Sequence, residues 1–195
     1  MTHSLTHSFK FIAACAINVW AGTAFAHIVL QDKQASVGSY YKAVLQVGHG
    51  CRGAATTAVR VQVPKGLQGA KPMPKAGWTL STEVAPLAAP YDSHGQRITE
   101  DVAAITWTAA SAAALPDAHY DEFVLRGQLP DTAGPLWFAV RQSCGAVVQD
   151  WAEVPASGTV TKGLKLPAPL LQVMDAAAPL AAVPAMPAGM DHSKH

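Results

Sequence analysis

Apolar and polar residues alternate in short runs through most of this chain. Val59, Val61 and Val63 are separated by Arg60 and Gln62, the period of two that turns one side of a strand to a core and the other to water. Pro64-Lys65-Gly66 closes that run with turn-forming residues. The same reading predicts strands over residues 27–31, 40–47, 78–84, 98–107, 120–126, 136–142 and 147–154. No long stretch repeats its apolar positions about every 3.6 residues, so no long helix is expected. The Ala-rich residues 109–114 are expected as a loop with room for a short helical turn. Seven or eight strands at this spacing predict an all-β fold, an antiparallel β-sandwich of immunoglobulin or cupredoxin type.

The two ends depart from that pattern. Lys10 supplies a positive charge, residues 11–19 are largely apolar although Asn18 interrupts them, and Ala24-Phe25-Ala26 is a small-x-small cleavage site. Together they read as a secretory signal, cut after Ala26 and exporting the protein. The apolar stretch is shorter than the ~20 residues that span a bilayer. Ile12-Ala13-Ala14-Cys15 loosely resembles a lipoprotein processing box, but Lys10 stands too close to Cys15 to leave an apolar core between them. From Pro167 the composition shifts to Ala, Pro and Met, which predicts a disordered or extended tail. The expected division is a signal at 1–26, one domain at 27–162 and a tail at 163–195.

Composition narrows the function classes. A chain of 195 residues accommodates one domain with tails. Its formal net charge of +1 points neither to a nucleic-acid partner nor to a strongly anionic membrane surface. Loss of the signal removes Cys15 and leaves Cys51 and Cys144, an even pair in an oxidising compartment, expected as a structural disulfide. No Cys-x-x-Cys or Cys/His cluster supports a thiolate metal site. There is also no serine nucleophile elbow, phosphate-binding glycine loop or zinc-protease helix motif. Asp121 and Glu122 are adjacent, which on a strand sends them to opposite faces and argues against an acid/base dyad.

Cleavage after Ala26 makes His27 the first residue of the mature protein. Its α-amine and Nδ1 can then close a chelate ring on Cu(II), a metal that favours nitrogen ligands. The alternative is a histidine that merely follows the cut. His49 adjoins Cys51, so a disulfide would hold it in a fixed place, suited to a second ligand or to a hydrogen bond beside the bridge. Over residues 147–154, Gln149, Trp151 and Glu153 share one strand face and Val148, Asp150 and Ala152 the other. Trp151 would cap a nearby copper site and exclude water, or simply pack in the core. In the tail, Met186, Met190, His192 and His195 offer thioethers for Cu(I) and imidazoles for Cu(II), against the alternative of a solvated end.

At these residues the chain resembles the YcnI-like proteins of the DUF1775 class. The matching stretches are Ala26-His27-Ile28-Val29, Gly48-His49-Gly50-Cys51, Val61-Gln62-Val63-Pro64-Lys65-Gly66 and Lys71-Pro72-Met73-Pro74-Lys75-Ala76-Gly77-Trp78. They continue through Tyr91-Asp92-Ser93-His94-Gly95, Tyr120-Asp121-Glu122-Phe123-Val124-Leu125-Arg126-Gly127, Gln142-Ser143-Cys144-Gly145 and Asp150-Trp151-Ala152-Glu153-Val154-Pro155. The cysteine pair resembles the variant typical of Gram-negative bacteria. The resemblance implies a β-sandwich that binds Cu(II) through a single-histidine brace at the mature N-terminus, with a tryptophan nearby. His27 matches the brace histidine and Trp151 that tryptophan. Glu122, Asp150 and Glu153 are the candidates for an additional carboxylate ligand.

The resemblance further implies a non-enzymatic role in periplasmic copper acquisition, delivery or tolerance. The expected partners are a copper ion and another periplasmic copper chaperone or a membrane copper transporter. Two alternatives remain open. One is a copper-dependent oxidase of the monooxygenase type, which would need a second histidine from His49, His94 or His119. The other is a metal-independent structural or adhesive sandwich module.

Overall fold

The alternation read along the chain becomes the two faces of pleated sheets in the computed structural model, which describes residues 27–175. The signal segment with Cys15, its cleavage after Ala26, and Met186, Met190, His192 and His195 all lie outside the described residues. In β4 (Ala58–Gln62), Val59 and Val61 are fully buried while Gln62 is exposed, as the period of two requires. β3 (Tyr40–Val47) occupies the predicted residues. β6 (Trp78–Ser93) and β7 (Gln96–Ala109) run longer than predicted. The reason is the tight turn between them, where His94 (φ 48°) and Gly95 (φ 77°) both adopt the left-handed conformation that lets a hairpin continue its twist. Residues 111–113 form a single 3-10 turn in the loop expected there.

The remaining strands are β1 (Val29–Leu30), β2 (Gln34–Ser36), β5 (Gln68–Pro72), β8 (Asp121–Gln128), β9 (Gly134–Trp137), β10 (Val140–Cys144), β11 (Val147–Trp151) and β12 (Leu170–Met174). They form a four-stranded sheet β1-β3-β8-β5, a five-stranded sheet β11-β10-β4-β7-β6 and a three-stranded sheet β2-β12-β9. Inward side chains of all three build one hydrophobic cluster. Within it Phe123 is edge-on to Trp78 at 5.0 Å and to Trp107 at 5.7 Å between ring centroids, a favoured aromatic geometry. Trp107 is fully buried, and its Nε1 donates to the Met73 carbonyl.

Four departures from the sequence expectation stand out: β2, β5, a divided run at 136–142, and β12. β2 and β5 carry almost no apolar alternation and form because neighbouring strands offer backbone partners. The run predicted over 136–142 is divided between β9 and β10, which belong to different sheets. β12 lies inside the segment expected as tail. It pairs in parallel with β2 and antiparallel with β9, burying Leu171 and Val173. The sandwich therefore continues beyond residue 162. A strand of five residues framed by Pro and Ala is too short to stand out from such composition.

Cys51 and Cys144 are joined in a disulfide across a sequence separation of 93 residues. Replacing both by alanine is expected to lower stability by about 4–5 kcal/mol on the chain-entropy account, read as the shift in urea-unfolding free energy. Leu171→Ala is expected to cost about 2–5 kcal/mol, as for a leucine deleted from a packed core. A loss near zero in that variant would contradict the place given to β12.

Candidate functional site

The site lies where the edges of two sheets meet, β1 on one and β11 on the other. Along β1 and the two residues before it, the alternation buries Ile28 and Leu30 in the core and leaves His27 and Val29 half-buried. Val29 pairs with Gln46 and Leu30 with Leu45, which fixes the register of the segment that His27 begins. On β11, Trp151 turns inward and is 1% exposed. The His27 ring meets the Trp151 indole edge-on, with centroids 5.7 Å apart and planes at 73°. His49 meets the same indole from the loop after β3, at 6.3 Å and 69°. Two imidazoles far apart in sequence thus share one tryptophan.

A buried indole N–H requires an acceptor, and Gln142 on β10 provides it. Trp151 Nε1 donates to Gln142 Oε1 at 3.0 Å. Gln142 Nε2 donates to the His49 carbonyl at 2.7 Å and to Thr56 Oγ1 at 2.8 Å. Gln142 and Thr56 are both fully buried. One amide therefore fixes the tryptophan and the backbone of the second histidine together.

The His49 loop is held at further points. The Gly50 N–H donates to Asp117 Oδ1 at 2.9 Å, and Cys51 is bound to Cys144, two residues beyond Gln142. A Cβ on Gly50 would stand 1.9 Å from the Ala54 carbonyl oxygen, so only glycine fits there. His49 Nδ1 is in close contact with the Gly50 carbonyl. That contact is a hydrogen bond only when Nδ1 carries the proton, which leaves the lone pair on Nε2. Gln149, the cross-strand partner of Gln142, has a buried Oε1 with no hydrogen-bond partner among the described residues.

The carboxylate candidates are engaged elsewhere. Glu122 falls in the row Val29–Gln46–Glu122, two strands in from β1, where Oε1 interacts with Gln46 Nε2 and the Tyr120 hydroxyl. Asp150 faces away from Trp151 and makes a paired contact with Arg141, Nε to Oδ1 at 2.7 Å. Glu153 accepts the Lys165 N–H through Oε2 and bridges to Pro167. No group of three or more His, Cys, Asp or Glu side chains converges among the described residues. His94 sits at the β6–β7 turn and His119 is exposed in the loop before β8, while His49 shares the indole with His27. His27 also borders a groove of about 710 Å³, walled by Ile28, Leu164, Pro167 and Leu170, with Lys33 and Lys162 on its lining.

Gln142 was not singled out from sequence. The signal was there: it occupies an inward position between Val140 and Cys144, and a polar residue in a buried register usually has assigned partners.

The family model "Domain of unknown function (DUF1775)" matches residues 27–173, starting at His27 and ending in β12. No curated protein matches the chain. A crystal structure of an uncharacterised protein from Nocardia farcinica, described as having an immunoglobulin-like fold, is similar at a TM-score of 0.57 and 23% identity. The similarity covers 75% of this chain and 97% of that one. The protein is thus an immunoglobulin-like β-sandwich.

Gln142→Leu keeps the side-chain size but strands the Trp151 N–H and the His49 carbonyl. It is expected to destabilise the protein by about 1–3 kcal/mol, the usual cost of unsatisfied buried polar groups. In a nitrogen–proton correlation spectrum the Trp151 indole resonance should move while that of Trp107 stays. Unchanged stability with an unmoved Trp151 signal would remove Gln142 from this role.

Proposed function

The chain belongs to the DUF1775 family, and from that premise we propose that it is a periplasmic copper-binding protein. The supporting observation is the convergence of the His27 and His49 rings on the buried Trp151 indole. After cleavage behind Ala26, the α-amine and Nδ1 of His27 hold Cu(II), and His49 Nε2 is the third nitrogen donor. Amine and imidazole donors suit Cu(II), and neither cysteine competes for it because both are held in the disulfide. Trp151 shields one side of the pair, with its orientation set by Gln142. The ion is cargo: few protein donors leave coordination positions open for passage to a periplasmic copper chaperone or a membrane copper transporter. Asp150 and Glu153 serve the Arg141 pair and the 165–167 loop in this reading, and Glu122 the Gln46–Tyr120 row.

A second reading, a copper-dependent oxidase, draws on the same contact of a second histidine with the Trp151 indole that His27 touches. Consumption of oxygen with ascorbate would favour it. We favour binding without catalysis, in keeping with the family resemblance.

The deciding comparison is Cu(II) titration, with spin-resonance readout, of a protein beginning at His27 and of one carrying an extra residue ahead of it. Both end at Asp175, so that His192 and His195 do not contribute. Tight binding is expected in the first and its loss in the second. Equal binding would sink the N-terminal site. His49→Gln is expected to weaken binding by at least about 10-fold, the lower end of what losing a group that merely orients a ligand costs, and to reduce the nitrogen hyperfine structure. Uptake should fall on acidification, because amine and imidazole must be deprotonated to bind the ion. A flat uptake between mildly acidic and neutral pH would contradict nitrogen ligation.

A further inference from the structure

The outer face of the sheet β1-β3-β8-β5 carries a row of three cations away from His27. Lys42 on β3 is the register partner of Arg126 on β8, and Arg126 is the partner of Lys71 on β5. Like charges directly opposite one another on neighbouring strands repel. With strands about 4.8 Å apart, the three Cα atoms span roughly 10 Å. All three side chains are exposed. None forms an ion pair among the described residues, where the paired cations are Arg60, Lys75, Arg97 and Arg141. The nearest acidic row on that face, at Glu122, is separated from them by the buried pair Val44–Val124.

Two features turn the row into a recess. The Arg126 guanidinium lies 5.7 Å from the ring centroid of exposed Tyr40, within cation–π range, a contact that uses none of its N–H donors as hydrogen bonds. Beside it is a concavity of about 160 Å³ lined by Tyr40, Lys71, Tyr91, Ser93, His94 and Arg126. The carboxylate behind it, Asp101, accepts hydrogen bonds from the Gly69 N–H, the Tyr91 hydroxyl and the Val102 N–H. Burial and that carboxylate push the Tyr91 phenol up to about 12, so it stays a neutral hydroxyl at physiological pH. The Ser93 hydroxyl, Lys71 and Arg126 thus line one small space, with the Tyr91 O–H committed to Asp101 and Lys42 standing outside it on the same row.

We propose that this end of the sheet binds a phosphate group, either free or carried on a lipid headgroup. A phosphate offers several acceptor oxygens and up to two charges to an arginine fork flanked by lysines, where a single carboxylate would satisfy only part of the row. The attraction is local, since the whole chain has a net charge of only +1. This site does not depend on the copper reading.

The test follows nitrogen–proton spectra of the protein during titration with inorganic phosphate and with pyrophosphate. In parallel, co-sedimentation compares phosphatidylglycerol-containing vesicles with pure phosphatidylcholine vesicles. Shifts centred on Lys71, Arg126 and Tyr40 are expected, weakening as salt rises. The double variant K71Q/R126Q should reduce affinity at least tenfold, and the control K65Q/R97Q should not. Solution binding without vesicle binding assigns free phosphate; preference for the anionic vesicles assigns the lipid headgroup. The urea midpoint of K71Q/R126Q should be unchanged or higher, because a repulsive pair has been removed. The proposal is overturned if neither probe binds, if the control loses affinity equally, or if only an acidic peptide such as polyglutamate binds.

Discussion

A tryptophan can be buried at the edge of a sandwich only if its indole N–H finds an acceptor there, and much of this structure follows from how that need is met. Gln142 supplies the acceptor from β10 and uses its amide donors on the His49 carbonyl and the Thr56 hydroxyl. The adjacent disulfide ties the same loop to the same strand. Hydrogen bonds in a dry environment are costly to break singly, so Trp151, His49 and the loop between them behave as one unit. The His27 ring rests on that unit from the opposite sheet edge.

The placement also bears on the edges themselves. Unpaired edge strands invite association with other chains, and this fold blunts them in different ways. β1 is only two residues long, while the edge strand β6 carries Pro86 and Pro90. The groove beside His27 is bounded by the 164–168 stretch, which Glu153 fastens through backbone and side-chain bonds. A residue matched as a ligand candidate from its neighbourhood in sequence thus has a structural task at the border of the site. Asp150 shows the same point from the other side of β11: one residue from Trp151 in sequence, it belongs to the opposite face and to Arg141.

Legibility followed the range of the interaction. The strand at 40–47 could be read because its alternation is local, and the cysteine pair because the expected loss of Cys15 with the signal leaves two thiols and a single pairing. The His27 and Trp151 candidates came with the family resemblance, and the two rings are in contact. β12 was hidden because only two of its residues turn fully into the core. Gln142 was hidden because its partners lie nine, 86 and 93 positions away. The basic row was hidden by composition, since near-neutral totals say nothing about which charges become neighbours across strands.

What the sequence determined by itself is the class of the fold and its covalent tie: period-two alternation, turn residues between runs and one cysteine pair are enough for a disulfide-linked β-sandwich. These are properties of adjacent residues or of a count. Which histidine shares the Trp151 indole with His27, that Asp150 meets Arg141, where Lys42, Arg126 and Lys71 met and how far the last sheet extended were decided only by tertiary structure. Each depends on strand register, and register is settled by the joint packing of all inward side chains rather than by any one segment.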